Sequence, residues 1–417
     1  MLHYIYNLLM FLYKGLISFA SLLHKKAKLK IEGVRNSKKI ISKLDDLSKG
    51  KRILIHCSSQ GEHEQALPII RWILKNTDYD IVLSFFSPSG YTYAKHDQSS
   101  RIIKTYLPFD TQSEISKFIN SIQPQLTLII KNEWWWNFLN ELKKQNIPTY
   151  LVSATIRKGH YFIKYPKPFF INGLSVFYKV FVIDQSSKIN ISKVFKRDVI
   201  VAGDTRIDQA NYNKNEILHS NKLVNKNHIS TLPTIVYGSI WESDLDSINM
   251  LIHLHPDARH LIYPHDLSKN NIELLHNNIK NSSIISTTNK AIEKVNIVAT
   301  MGELKYAYNF ATLAYIGGGF GDGIHNVLEA AVYWIPTFFG PNYLKSNEAI
   351  SLLESNCSFS FKDKNDLEQI CEKISMENSK EINRNEIETK LKSYFSPKHS
   401  PTEIICQEIF KKIDINV

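Results

Sequence analysis

Eleven short β-rich runs, separated by stretches of helical character, constrain this chain more than any other feature. They are RILIHC (52–57), DIVLSFF (80–86), LTLIIK (126–131), PTYLVS (148–153), KVFVID (179–184) and DVIVAG (198–203), then TIVYGS (234–239), RHLIYP (259–264), VNIVAT (295–300), LAYIGG (313–318) and IPTFFG (335–340). Strands that are apolar without alternation and spaced by helices belong in parallel sheets covered on both faces. The rhythm stops at 205–233, an Asn- and Lys-rich stretch without a strong period, which reads as a helix fragment and linker. The expected fold class is therefore α/β: two doubly wound halves facing a cleft, with ligands beyond the carboxyl ends of their strands.

The chain carries 51 Lys and Arg against 40 Asp and Glu, a formal net charge of +11. Residues 1–43 hold nine basic residues and one acid, Glu32, so the rest of the chain carries only +3. A nucleic-acid-binding body spreads its basic charge over the fold, whereas this chain gathers it beside one apolar segment, which points to an anionic membrane surface. In that segment, residues 2–23, the polar residues His3, Asn7, Lys14, Ser18, Ser21 and Lys25 fall within a wedge of about 60° on a helix. No basic region precedes it and no small-residue cleavage site is evident after it, so a secretory signal is not expected. It is expected to lie in the headgroup layer, apolar arc in the acyl chains, with Lys25 to Lys39 on anionic lipid at roughly 1 kcal/mol each. A single span and a helix packed on the body are the competing readings. Cys57, Cys357, Cys371 and Cys406 have no paired spacing, which suggests neither zinc nor a disulfide framework and fits a reducing cytoplasm.

Chemistry is to be sought in the loops after the strands. In HCSSQGEHEQ the small residues Ser58, Ser59 and Gly61 lead into Glu62 at a helix start, where the dipole favours its ionised form and suits it to accept a proton. A plain first-turn acid has the same appearance. Glu133 follows LTLIIK and precedes three tryptophans, a platform for a sugar or acyl chain or a set split between core and surface. Glu62 and Glu133 are expected to share one cleft. In the second half, Gly318 and Gly319 open a glycine-rich turn before a helix expected to begin near His325, a phosphate-contacting arrangement. Neither the spaced glycines of a dinucleotide fold nor the Gly-Lys of an NTPase loop is present. Ser239, Glu242, His265 and the Met301-Gly302-Glu303 turn likewise follow strands. Asp244 and Asp246 have the spacing of a metal clamp but lack further ligands, and no metal or other cofactor is expected.

Taken in order, HCSSQGE, NEWWWNF, GDTRID, GSIWESD, PHD, MGEL and GGFGDGIHNVLEAA resemble the Kdo transferases, which add 3-deoxy-D-manno-oct-2-ulosonic acid to lipid A precursors in Gram-negative bacteria. The resemblance implies a GT-B architecture of two Rossmann-like domains, CMP-Kdo as donor and metal-independent inverting transfer. Glu62 matches the general base and Glu133 a second essential acid. His325, Asn326, Leu328 and Glu329 match a donor-nucleotide motif, bordered by Met301, Gly302 and Glu303. The implied partners are CMP-Kdo, a lipid A precursor such as lipid IVA and the cytoplasmic face of the inner membrane, with no nucleic acid. Trp136 and Ala330 stand where proline is usual, and Ile324 where glycine is. No arginine separates Pro264 from His265, so Arg157 and Arg206 are offered as partners for the donor's phosphate or carboxylate. The expected division is 1–43 membrane segment, 44–208 acceptor domain, 209–233 linker, 234–392 nucleotide-sugar domain and 393–417 a terminal helix crossing back to the first domain. A GT-B enzyme using a UDP-sugar, or a non-catalytic nucleotide-binding protein at the membrane, are the alternatives.

Overall fold

The computed structural model describes residues 2–42, 51–93, 99–131, 133–164, 168–219, 232–286, 293–373 and 384–411. The chain forms two compact units, Met1–Gln209 with His399–Val417, and Ala210–Lys398.

In the first unit a seven-stranded parallel sheet comprises β1 (Arg52–Cys57), β2 (Asp80–Phe85), β3 (Ile102–Tyr106), β4 (Leu126–Ile130), β5 (Thr149–Ala154), β6 (Phe177–Val182) and β7 (Val199–Val201). Its order is β3-β2-β1-β4-β5-β6-β7, so the winding reverses between β1 and β4. Alternate β1 residues serve opposite faces. Ile53, Ile55 and Cys57 pack with Ala66, Ile69, Ile70 and Ile73, while Leu54 packs with Ile115, Ile119 and Phe138. The first group lies along helix Gln60–Asn76, whose apolar residues recur at helical spacing. The terminal helix Pro401–Phe410 belongs to this unit and covers the same face, with Phe410 stacked on Trp72 at 5.4 Å.

Two further helices precede the sheet, α1 (Leu2–Ala20) and α2 (Lys25–Ser42). The amphipathic stripe of α1 is there, but its first part, His3, Asn7 and Lys14, is spent on protein. Lys14 pairs with Glu114 at 3.1 Å, Asn7 accepts from Asn137 at 2.8 Å, and His3 accepts from the Trp136 indole at 3.1 Å. The apolar arc, including Leu8, Phe11, Leu12, Leu16 and Phe19, is exposed. The basic segment also differs from the expectation that Lys25 to Lys39 all face outward. Lys30 is buried, donating to the Phe86 and Leu107 carbonyls at 2.8 and 3.1 Å, and Lys38 binds Glu114 at 2.7 Å. Among the described residues no single helix is long and apolar enough to cross a membrane; α1 and α2 meet that test only as a pair bent by 115°.

The second unit is built around β8 (Thr234–Ile240), β9 (Arg259–Pro264), β10 (Ser282–Ile285), β11 (Val295–Val298), β12 (Leu313–Ile316), β13 (Thr337–Phe339) and β14 (Ser358–Ser360), all parallel. The order β10-β11-β9-β8-β12-β13-β14 again reverses once, between β8 and β12. Of the stretch read as helix fragment and linker, Arg206–His219 is a 14-residue helix and 220–231 lie outside the described residues. Residues 43–50, where the first domain was expected to begin, also lie outside them.

Candidate active site

In open parallel sheets the ends of the two strands flanking the reversal splay their following loops apart, leaving a crevice between them. Glu62 lies in the loop and helix start after β1, and Glu133 follows β4, the strands that flank the reversal in the first sheet. These strands are in register, with His56 opposite Ile129, which sets their exits side by side.

The Ser58 amide donates to Glu62 Oε2 at 2.5 Å, and Ser59 caps the helix by accepting from the Glu62 amide at 3.5 Å. A Cβ on Gly61 would meet none of the described residues within 4 Å. Glu62 is 8% exposed. Burial, reinforced by repulsion from Glu133, pushes its carboxyl from 4.5 to about 7, against the pull of Ser58, Lys131 and Ser59. The expectation that the helix terminus keeps Glu62 readily ionised is thus corrected: desolvation and a like charge outweigh the dipole. Burial also raises Glu133, with Ser58, Trp135 and Lys131 pulling the other way. Two interacting carboxyls of this kind titrate as a pair, and the raised Glu62 is suited to proton transfer at neutral pH.

Lys131 was not among the residues singled out from the sequence. It sits between β4 and Glu133 with φ +66° and lowers both carboxyls electrostatically. A left-handed non-glycine residue at a strand exit is the kind of local strain found where a side chain must be aimed. The tryptophans form no common platform. Trp135 stacks on Phe86 at 4.2 Å, Trp134 meets Phe162 edge-on at 4.8 Å, and Trp136 reaches His3. Arg157 is exposed in the loop after β5, beside β4. Arg206 is engaged by Asp204, with Nε 3.1 and 3.2 Å from its oxygens and a terminal nitrogen at 2.6 Å, so its guanidinium is not an open anion partner.

The reversal in the second sheet likewise gathers most of the residues expected there. Ser239, after a register shift in β8, has φ +57°, and its carbonyl lies where a Cβ on Gly317 would fall. Gly318 has φ +88°, and a Cβ on Gly319 would strike the Gly340 backbone, so this crossing of two loops requires glycine. Asp244 is fully buried and accepts from the Trp241 amide at 3.0 Å, the Gly318 amide at 3.0 Å and the Tyr315 hydroxyl at 2.9 Å. It ties the β8 loop to the glycine turn, and a metal would have to displace those donors.

The helix expected to begin near His325 starts at Leu328 and ends at Ala331. One turn has little dipole, and the amides of Gly321, Gly323, Ile324 and His325 already bond to backbone carbonyls. The helix thus begins later than expected and is shorter, with its Leu328 amide already capped by Asn326. The exposed feature here is aromatic. Trp241 stacks on His265 at 4.4 Å, His265 on His325 at 4.6 Å, and the Trp241 indole donates to His325 Nε2 at 2.9 Å. Burial and His265 lower His325 to about 4, keeping it neutral as the acceptor of that bond. Trp241 has no titratable group and drew no notice in the sequence, yet it joins the two histidines. Asn326 bonds Glu329 at 3.2 Å and caps the Leu328 amide at 3.1 Å. Burial raises the Tyr263 hydroxyl, near the end of β9, and the charge of Glu303 adds to it. Met301 and Glu242 are exposed, and Gly302 has φ +85°.

Residues 32–209, the stretch that carries Glu62 and Glu133, match the family model of 3-deoxy-D-manno-octulosonic-acid transferase (kdotransferase). The chain resembles the Kdo transferases. It is 24% identical to the 3-deoxy-D-manno-octulosonic acid transferase of Haemophilus influenzae, covering 72% of this chain and 73% of that one. It is 25% identical to the enzyme of that name from Rickettsia felis, over 76% and 69%. A bifunctional glycosyltransferase/methyltransferase of Fusobacterium nucleatum is 25% identical over 73% of this chain, which spans about half the length of that relative (49%). The Kdo transferase likeness is thus to a family of glycosyltransferase enzymes. In fold the chain is similar to UDP-GlcNAc 2-epimerase from Neisseria meningitidis bound to UDP-GlcNAc, with a TM-score of 0.57 at 15% identity over 88% of this chain and 100% of that one. Phytolacca americana UGT2 gives 0.53 at 10%, over 87% and 99%. The two sheets, each wound around a single reversal, form the GT-B fold.

Proposed function

We propose that the chain transfers Kdo from CMP-Kdo to a lipid A precursor such as lipid IVA, by direct inverting displacement without a metal. The observation that carries this reading is the coupled Glu62–Glu133 pair at the β1/β4 reversal, inside the stretch that matches the Kdo transferase model. An acceptor hydroxyl oxygen attacks the anomeric carbon, the bond from that carbon to the CMP phosphate oxygen breaks, and the hydroxyl proton passes to Glu62. A carboxyl held near 7 takes that proton at neutral pH without being so basic that it stays protonated. Glu133 keeps Glu62 basic, and Lys131 limits the repulsion between them.

In the second unit the Trp241–His265–His325 rings offer a stacking surface to the donor's base, and Ser239, Asn326 and the loops after β8 and β12 shape its surroundings. Arg157, exposed in the loop after β5, is offered as a guanidinium for a donor anion. The exposed arc of α1 seats the first unit on the cytoplasmic face of the inner membrane, where the acceptor resides, with the remaining exposed lysines of α2 toward anionic headgroups.

The test is a transfer assay with CMP-Kdo generated in situ and tetraacylated lipid A precursor, products resolved by mass, comparing wild type with Glu62→Ala. One or more Kdo additions by wild type and none by a folded variant are expected. A folded wild type that ignores CMP-Kdo and accepts a UDP-sugar overturns the donor, and transfer surviving in Glu62→Ala overturns the base.

A further inference from the structure

The segment bearing Glu133 runs directly into helix Trp136–Lys144, whose own N-cap position, Trp135, offers no side-chain acceptor. Uncapped amides at a helix start are usually met by nearby sequence. Here they are met by residues far away in the chain. The Trp136 amide donates to the Tyr6 hydroxyl at 3.3 Å, and the Asn137 and Phe138 amides donate to the two oxygens of Asp110 at 2.9 Å each. The Tyr6 hydroxyl in turn donates to Asp110 Oδ2 at 2.5 Å. The Asn137 side-chain amide closes the cluster, donating to the Asp110 carbonyl at 2.5 Å and to Asn7 at 2.8 Å. Asp110 is 1% exposed and Asn137 fully buried, so these bonds are shielded from water and losing one leaves a buried group unpaired.

Tyr6 and Asn7 belong to α1, the helix that turns its apolar arc outward. The cap is therefore shared between the sheet loop that holds Asp110 and a helix more than a hundred residues upstream of the segment it fixes. Only two residues, Trp134 and Trp135, separate Glu133 from Trp136, too few to absorb a shift in the helix start.

Resting on the function proposed above, we propose that Tyr6 and Asp110 are positioning residues, which hold Glu133 against Glu62 and so make turnover depend on the seating of α1. The fixed points are the two hydrogen bonds of Asp110 to the helix amides; Tyr6 locks the Asp110 carboxylate in the orientation that makes them.

Two readouts on the full-length protein test this. In the transfer assay with CMP-Kdo and detergent-dispersed acceptor, Tyr6→Phe is expected to lower kcat about tenfold, the worth of one buried hydrogen bond, with KM for CMP-Kdo within twofold and the melting temperature lowered by no more than a few degrees. Gly15→Ala, which adds a methyl on α1 with nothing within 4 Å of it, is expected to leave kcat intact. The second readout needs no substrate: carbon-13 carboxyl NMR titration of Glu62, which faces Glu133, Lys131 and Cys57 as well as Ser58 and Ser59. Tyr6→Phe is expected to move its midpoint down toward that of Glu133→Gln, because a displaced Glu133 repels Glu62 less. Asp110→Asn is expected to move it further; if that variant does not fold, Tyr6→Phe decides. A Tyr6→Phe protein with wild-type kcat, or a Glu62 midpoint unmoved while Glu133→Gln shifts it, overturns the proposal. If wild type transfers no Kdo, the functional reading fails and the titration alone judges the positioning.

Discussion

Replacing Glu62 by glutamine is expected to stabilise the protein at high pH while abolishing transfer. Glutamine keeps the size of the side chain and an oxygen for the Ser58 amide, and removes only the charge. The folded state holds the Glu62 carboxyl at about 7 against an ordinary 4.5, so folding disfavours the ionised form. At about 1.4 kcal/mol per pH unit this amounts to about 3 kcal/mol. The sign follows from proton counts. Between pH 4.5 and 7 the folded state binds more protons than the unfolded chain, so the penalty is absent below 4.5, grows through that window and is constant above it. Glu62→Gln should therefore melt at the wild-type temperature near pH 4.5 and several degrees higher at pH 8, about 3 kcal/mol being the ceiling because relief of Glu133 is shared with it. Calorimetry of both proteins at the two pH values is the assay. Equal melting at pH 8, or a gain of the same size at pH 4.5, would refute the claim that burial and Glu133 raise this carboxyl.

Glu133→Gln should shift the acid limb of the kcat/KM profile to lower pH, since the repulsion raising Glu62 is gone; a limb that stays in place separates the two acids. Gly319→Ala puts a methyl into the Gly340 backbone and is expected to destabilise the second unit by about 3 kcal/mol, read as a lower denaturation midpoint. Leu8→Ser, Phe11→Ser and Leu12→Ser together should abolish sedimentation with anionic vesicles without lowering the melting temperature, because these side chains are already exposed. Deleting residues 2–24 is a poorer test of membrane binding, for it also strips Tyr6 from the helix after Glu133, and loss of turnover is expected on membrane and detergent acceptor alike.

Ten of the eleven strands read from the sequence are well buried, because a strand covered on both faces has no choice but to be apolar; the eleventh, β7, is an edge strand legible through its Val-Ile-Val run. Those missed, β3, β10 and β14, are edge strands. Ile102, Ile103 and Lys104 are half-exposed, and β10 and β14 are short and carry two serines each, so no hydrophobic run marks them. Glu62 and Glu133 were legible because each follows such a run. Their electrostatic state was not, since it depends on the register of β1 with β4 and on burial, neither of which is local. The same holds for Lys131, Trp241 and Asp110. None lies in a signature of its own, and each matters through what the topology sets beside it. The polar stripe of α1 was visible as a pattern, but a helical pattern records that two faces differ, not which of them meets protein.

A helix whose polar stripe is bolted to protein and whose apolar arc points outward behaves differently from a tether. A flexible anchor sets only the radius within which a domain wanders; α1, fixed at His3, Tyr6, Asn7 and Lys14, sets an angle and a height. The lipid surface would meet the first unit in one attitude, and the exit of β1 and β4 would stand at one fixed distance from the headgroups. Acceptors whose hydroxyl projects to that level would be served, and those holding the same hydroxyl deeper or higher would be passed over, so that selection among lipids of like chemistry becomes a matter of elevation.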